Sequence, residues 1–424
     1  RAKEGSAISA DPSFSFLKCP QSAVRIPLAA MSEISFDKPD PHDFLDIDSL
    51  LSDEEILLRD TVRDFVSKEI TPHVGEWWEA GTLPHQELAK TIGEIGLLGM
   101  HLEGYGCAGT SATAYGLACL ELEAGDSGIR SFVSVQGSLV MYPIWKFGSE
   151  EQKNEWLPRM ATGEVIGCFG LTEADSGSDP SSMRTNAKRD GSDWVLNGSK
   201  MWITNGSIAD VAVVWARTGE WVRGVIGPTE AAGFSAPEIK KKASLRASVT
   251  SELLFDNVRL PEDFVLPGVA SMRGPLSCLN EARFGIAFGA MGAARSCYEA
   301  ALDYSKEREQ FDRPIGSFQL TQRKLVEMMV AVQRGTLVAL HLGRRKDDGT
   351  LTPEQVSFGK FDNVRNALEV ARTARSVLGA NGITLEYPAM RHMANLDFFF
   401  NDTATTEIHT LIMGQAITGI SAFT

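Results

Sequence analysis

Residues 168–179 read "CFGLTEADSGSD" and residues 201–206 read "MWITNG", and the fold turns on what lies to either side of these two stretches. Upstream, "SDEEILLRDTVRDFVSKEI" opens with Ser52 and Glu55 in capping-box spacing, then places Leu58, Val62, Phe65 and Val66 on one helical face. Helical pattern continues through "HQELAKTIGEIGLLGMHL" and "ATAYGLACLELEAGDSG" to about residue 160. Downstream the texture changes. "DWVLNGSKMWITNG" reads as two β-rich runs around Asn197-Gly198, and "VAVVWAR", "WVRGVIGP" and "ELLFDNVRL" follow as short strands. After Pro267 long helical stretches return, such as "NEARFGIAFGAMGAARSCYEAALDYSKEREQF".

The order helices, strands, helices predicts an α+β chain: a tail over 1–42, a helical domain over 43–165, a β domain over 166–266 and a helical domain over 267–424. A doubly wound nucleotide fold is excluded, because strands and helices do not alternate and neither a GxxxxGK[ST] loop nor a GxGxxG between strand and helix is present. The glycines of "GAMGAA" read as close helix-packing positions. No internal repeat is visible.

Composition narrows the function classes. A formal charge of −14 repels phosphate backbones, so no nucleic-acid partner is expected. Apolar runs such as 211–216 and 286–291 fall short of the ~20 residues of a membrane span, so none is expected. Six widely spaced cysteines show neither CxxC pairs nor metal-ligand spacing, which predicts reduced thiols, no metal and a cytosol-like compartment. The first thirty residues lack an apolar helical period and stop at Met31. They read as sequence upstream of a start at Met31, giving a cytoplasmic protein. If they are a transit peptide, the mitochondrial matrix is the alternative, which Glu4 and Asp11 weaken.

Taken together, "CFGLTEADSGSD" and "MWITNG" resemble the flavin-contacting signatures of the acyl-CoA dehydrogenase family. The resemblance runs from about residue 45 to the C-terminus and includes "EREQF" (307–311) with Gln319, "SVLGANG" (376–382) and "CLNEARFG" (278–285). Within the family, "EGYGCAGTSATAYG", "DSGIRSFVSVQGSLVMYPI", "SLRAS" and "AITGISAF" look most like the glutaryl-CoA branch. The resemblance implies an acyl-CoA dehydrogenase-like fold ending in a four-helix bundle, with FAD between the β domain and the C-terminal helices. A homotetramer in which a neighbouring subunit completes the site is implied as well. Phe169, Leu171, Thr172, Gly177, Ser178, Trp202, Ile203 and Thr204 would contact the isoalloxazine, and Thr405 would also bind the cofactor. Arg308, Phe311, Gln319, Leu378, Gly379 and Ala380 would reach the adenine and pyrophosphate. Ser178, Leu276, Asn280, Arg283 and Ala404 would bind the acyl-CoA thioester.

Arg130 and Ser134 match the branch that takes a dicarboxyl-CoA, for which a guanidinium at the distal end of the acyl pocket holds a carboxylate bidentately. From the residues alone, Arg130 could instead form a helical i,i+4 pair with Asp126, Arg308 could be a solvated helix end, and Arg283 a surface ion-pair partner. Glu123 lies two helical turns before Arg130. The implied reaction is oxidative decarboxylation of glutaryl-CoA to crotonyl-CoA and CO2, a step of lysine and tryptophan breakdown, with electron-transferring flavoprotein as acceptor. Another short acyl-CoA, an oxidase, or a non-catalytic acyl-CoA-binding flavoprotein are the alternatives.

The family's base is the Glu of a Tyr-Glu-Gly-Thr motif before the last helix, and counting back from "IHTLIMGQAITGISAF" those positions are Asp402, Thr403, Ala404 and Thr405. Thr403 is far too weak a base at neutral pH, so the chain as it stands is expected to be impaired or inactive. Asp402 and Glu407 are poor substitutes, the first shorter and differently directed, the second one helical turn on. "NDTATTEI" is also what AAT GAT ACG GCG ACC ACC GAG ATC encodes, which resembles a sequencing-library adapter, and "FFF" is what a poly-T run encodes. Residues of about 398–408 are therefore expected to overwrite the native motif.

Overall fold

A computed structural model of the chain describes residues 38–422, and one compact unit begins at Asp40. The expectations for the segment before residue 38 lie outside the described residues. Order begins earlier than residue 43: the Pro41 carbonyl accepts from the Tyr298 hydroxyl at 2.9 Å, and the His42 carbonyl accepts from Gln333 Nε2 at 3.2 Å.

The N-terminal region consists of α1 (Asp53–Phe65), which continues through a π-helical stretch to Ile70, then α2 (Val74–Ala80), α3 (His85–Glu94), α4 (Ala112–Gly125), α5 (Ser127–Ser134), α6 (Tyr142–Phe147) and α7 (Glu150–Ala161). The Ser52–Glu55 capping box forms in both directions, with bonds of 3.3 and 2.9 Å. A break at Asp126 separates α4 from α5: its backbone is extended (φ −165°) and its side chain caps Gly128 N. Glu123 and Arg130 therefore sit on two different helices, not two turns apart on one.

The β region comprises β1 (Gly167–Gly170), β2 (Asn186–Asp190), β3 (Asp193–Thr204), β4 (Val211–Thr218), β5 (Trp221–Pro228), β6 (Phe234–Ser235) and β7 (Thr250–Pro261). They form one sheet in the order β1-β4-β2-β3-β7-β6, with β5 antiparallel to β4 and β1 parallel to it. The expected two runs around Asn197-Gly198 are a single bulged strand. β3 passes through both residues, its register to β7 shifts between Leu196 and Gly198, and Gly198 takes φ +137° against Thr185, whose Oγ1 would lie 2.6 Å from any Cβ there. The hairpin turn comes earlier, at Gly191 between β2 and β3.

The C-terminal region holds α8 (Arg273–Glu307), the short strands β8 (Glu309–Gln310) and β9 (Arg313–Pro314), α9 (Gln319–Asp347), α10 (Pro353–Val377), α11 (Pro388–Phe398) and α12 (Thr406–Thr418). The "GAMGAA" glycines are close-packing positions: a Cβ on Gly292 would meet the Leu120 carbonyl of α4 at 1.8 Å, and one on Gly289 the Glu123 carboxylate at 2.0 Å. By length and composition α9 is apolar enough to cross a membrane, which the short apolar runs did not suggest. Here it is a bundle helix packed on α4, α8 and α10.

Candidate active site

A large cavity of about 1480 Å³ lies where the β region meets α5, α8 and the segment before α12. Its β wall is set by an ion pair inside the protein. Lys200 on β3 is fully buried, and its Nζ donates at 2.9 Å to both the Leu171 carbonyl and the Glu173 carboxylate. Glu173 also accepts from Arg184 N at 2.6 Å and Thr185 N at 2.9 Å. Burial alone would raise the Glu173 pKa, but these donors outweigh it and hold the carboxyl at about 2. Burial pulls Lys200 down to about 8, with Glu173 restoring part of it. Met201 N donates to Thr172 O at 2.8 Å, and Thr185 Oγ1 to Ser199 O at 3.0 Å, so the loop after β1 is fastened to β3 at both its ends.

With that loop fixed, Phe169, Leu171, Thr172, Gly177, Ser178, Trp202, Ile203 and Thr204 all line the cavity. Trp202 has φ +64°, a left-handed backbone uncommon for a bulky residue, and is 56% exposed. The conformation leaves a large aromatic face open on the wall.

Opposite stand Arg130 and Ser134 of α5, both 2% exposed. The Arg130 Nε donates to Glu123 Oε2 at 2.6 Å, and its guanidinium carbon lies 4.8 Å from the centre of the Phe399 ring. The alternative pairing with Asp126 does not occur: Asp126 pairs with Arg391 at 2.5 Å. Burial pushes the Glu123 carboxyl up while Arg130 pulls it back, and the guanidinium itself stays charged. Arg130 Nη2 and Ser134 Oγ are both buried without a protein partner. Two unsatisfied polar atoms one helical turn apart on the cavity wall are a place for a ligand's polar group.

Leu276, Asn280 and Arg283 line the cavity from α8. Arg283 is 6% exposed and is not a surface ion-pair partner: burial lowers it to about 10, with Asp402 raising it in part. Its Nε donates to the Thr403 carbonyl at 2.6 Å and its Nη1 to Asn280 Oδ1 at 3.1 Å. Lys360 of α10, which sequence reasoning missed, is 1% exposed and donates to the Ala404 carbonyl at 3.0 Å. Burial lowers Lys360 to about 8.

These two cations hold Asp402, Thr403, Ala404 and Thr405 on the cavity wall. Thr403 has φ +51° and Ala404 φ +110°, backbone that suits glycine. Thr403 Oγ1 is buried without a partner. Burial raises the Asp402 carboxyl, against the pull of Arg130, Lys360 and Arg283. Glu407 is exposed on the first turn of α12 and does not line the cavity.

Six predicted residues are not brought to this cavity. Arg308, Phe311, Gln319, Gly379 and Ala380 lie exposed at the ends of α8 and α10 and the start of α9, and Leu378 is buried beside them. Phe311 helps line a separate shallow depression of about 290 Å³ with Phe318, Lys324 and Ser376. Among the described residues no group of three or more His, Cys, Asp or Glu could hold a metal. The described cysteines are free.

Family comparisons agree with this architecture. Residues 52–164, 168–258 and 272–418 match the N-terminal, middle and C-terminal domains of acyl-CoA dehydrogenase. A glutaryl-CoA dehydrogenase of Desulfococcus multivorans is 33% identical over 386 residues, covering 88% of this chain and 99% of that one. The crystal structure of glutaryl-CoA dehydrogenase from Mycobacterium smegmatis superposes with a TM-score of 0.90 at 64% identity, covering 91% of this chain and all of that one. A second M. smegmatis glutaryl-CoA dehydrogenase structure, in complex with FADH2, gives 0.90 at 57% identity over the same shares. The chain belongs to the acyl-CoA dehydrogenase family of oxidoreductases.

Proposed function

We propose that this chain is built for FAD-dependent oxidative decarboxylation of glutaryl-CoA to crotonyl-CoA and CO2, and that its present segment 398–408 leaves it impaired or inactive. The observation that carries the substrate class is Arg130, a buried guanidinium on the cavity wall with one nitrogen unpartnered. A carboxylate is the ligand such a group fits best, because a charged acceptor both satisfies the unpartnered Nη2 and balances the buried cation. Other short acyl-CoA substrates would leave that nitrogen unsatisfied.

The residues present also fit FAD. The cavity of about 1480 Å³ exceeds the ~300–1,000 Å³ of ordinary small-molecule sites, leaving room for a cofactor beside a thioester. Trp202 offers an open aromatic face, and Thr172, Thr204 and Thr405 offer hydroxyls beside it. Bound FAD would supply the hydride acceptor. Phe169, Leu171 and Ile203 would keep water from its face, and Gly177 would let the loop approach closely. Ser178, Leu276, Asn280 and Arg283 would guide the thioester and its pantetheine arm. A glutamate at position 403 would take the substrate's α-proton, which Thr403 cannot do.

The outer cluster of Arg308, Phe311, Gln319, Leu378, Gly379 and Ala380 would serve the adenine end of a cofactor held by a neighbouring subunit of a homotetramer. Phe311, 87% exposed, is the kind of surface aromatic that a partner covers. Electron-transferring flavoprotein is the proposed acceptor, and the cytoplasm the proposed compartment.

Ala404 supports the view that 398–408 replaces a native motif. Its φ of +110° is a glycine conformation at the position where the family pattern has Gly. The test is the motif-restored chain carrying Asp402→Tyr, Thr403→Glu and Ala404→Gly. Anaerobic glutaryl-CoA should bleach its flavin absorbance within one turnover and release CO2, while the unrestored chain binds without bleaching. Tight binding with no bleaching in the restored chain would refute the enzyme assignment in favour of an acyl-CoA-binding flavoprotein.

A further inference from the structure

We propose that Lys242 is a built-in positive charge behind the flavin wall of the cavity, and that it raises the reduction potential of the bound cofactor. The proposal rests on the reading of this cavity as the FAD site.

Although the chain carries a net charge of −14, "IKKKASLR" at 239–246 gathers three lysines and an arginine just before β7. The stretch is a loop closed on itself. Ile239 N donates to Thr250 O at 2.8 Å, and Lys242 Nζ donates to the Leu245 carbonyl at 2.9 Å, the Ser248 carbonyl at 2.5 Å and Thr250 Oγ1 at 2.8 Å. One ammonium's three N–H bonds are all taken up inside the loop. Leu245, whose carbonyl is one of the acceptors, has φ +45°, a left-handed backbone uncommon for leucine. The chain is wound around this cation, where an ordinary lysine would reach for water.

The loop is continuous with the wall that carries the flavin contacts. Thr250 opens β7 directly across from Thr204 of β3, and Asn205 N donates to Val249 O at 3.0 Å. Lys242, Ser244 and Thr250 line the same cavity as Trp202 and Thr204. Ser244 Oγ is buried without a protein partner, so the loop also offers a ligand one polar group.

The acceptors around Lys242 are neutral, and this separates it from Lys200 and Arg130, each of which is bonded to a carboxylate. Among the described residues no carboxylate pairs with it: Glu238 of the same loop pairs with Lys240, at 3.8 Å. Arg246 adds a second cation without an acid, its nitrogens donating to the carbonyls of Trp78, Glu79 and Lys242. Burial pulls Lys242 down to about 8, which leaves it charged at neutral pH. Carbonyl oxygens spread such a charge without cancelling it. A flavin that accepts a hydride gains electron density, so an uncompensated cation beside a poorly solvated wall favours the reduced form over the oxidised one.

The test is the midpoint potential of the flavin in the full flavin-loaded chain, read by equilibration with redox dyes alongside the flavin content. Lys242→Met should shift the equilibrium about tenfold toward the oxidised form, about 30 mV for a two-electron couple, whereas Lys242→Arg, which keeps the charge, should stay within about twofold of the parent. Should Lys242→Met hold too little flavin to titrate, Lys242→Gln drops the charge but keeps N–H donors for the loop's carbonyls, and the same shift is expected of it. An uncharged variant whose equilibrium stays within about twofold of the parent overturns the proposal. So does an equal fall in Lys242→Arg, which would make Lys242 a staple of its loop and nothing more. A parent chain that takes up no FAD would overturn the cofactor reading itself, and this proposal with it.

Discussion

Lys200→Met tests whether the flavin-facing loop is held by the buried Lys200–Glu173 pair. Lys200 is fully buried and Glu173 is 8% exposed, so solvent screens little of the interaction. The two partners carry opposite balances. Glu173, at about 2 instead of an unfolded value of about 4.3, contributes roughly 3 kcal/mol at neutral pH, a contribution lost as pH falls through the folded value. Lys200, at about 8 instead of about 10.4, loses roughly as much by burial, so the pair as a whole is near neutral. Breaking it is another matter. Lys200→Met leaves the carboxylate buried with only Arg184 N and Thr185 N as donors, and should destabilise by about 3 kcal/mol, the lower end for a severed buried pair. Adding Glu173→Gln removes the stranded charge and should bring stability back to within about 1 kcal/mol of the parent. Urea unfolding of the flavin-loaded proteins, followed by far-UV circular dichroism and by the fluorescence of released flavin, reads both quantities. A Lys200→Met protein within 1 kcal/mol of the parent, or a double variant as unstable as the sum of the singles, would refute the clamp.

Two further outcomes follow from the same geometry. Ala404→Gly should stabilise the chain by about 1 kcal/mol, since it relieves a left-handed backbone that alanine adopts only under strain, and a lower urea midpoint would contradict this. His101 and His409 are held neutral, chiefly by burial, at about 4 and about 3, against an unfolded value of about 6.5. Below pH 6.5 the unfolded chain takes up protons that these rings refuse, so stability should drop by about 2 kcal/mol per histidine between pH 8 and pH 5. Buried His392 is likewise held well below its ordinary value, so His409→Gln should remove about a third of the whole loss when urea midpoints at the two pH values are compared.

The sequence made legible whatever depends on local spacing. Ser52 and Glu55 announce their capping box three residues apart, and the close approach of α8 to α4 is written in Gly289 and Gly292. The β wall of the cavity was also legible, because its residues come as two short contiguous motifs. What could not be read depends on contacts across the chain. Nothing near Lys360 in α10 marks it as a buried donor to Ala404, and Lys200 meets Glu173 only because β3 runs beside the loop after β1. Asn197-Gly198 misled for a related reason. The dipeptide favours left-handed backbone, which serves a bulge as well as a turn, and only pairing with β7 decides between them. Glu123 was noticed near Arg130 for a spacing that the break at Asp126 abolishes, and it meets the guanidinium through packing instead.

On the reading proposed for segment 398–408, the fold survives the loss of the catalytic side chain because of how the segment is held. Its main holds from outside are Arg283 on the Thr403 carbonyl and Lys360 on the Ala404 carbonyl, and both address the backbone. Thr405 caps α12 through its hydroxyl, at the position where the family motif also has a threonine. Phe399 fills a fully buried site, which asks only for apolar bulk. None of these holds reads the side chain at 403. In the proposed mechanism a carboxylate at 403 serves proton transfer alone, so packing does not select for it, and the same backbone grip that keeps Thr403 on the cavity wall would present a glutamate in its place.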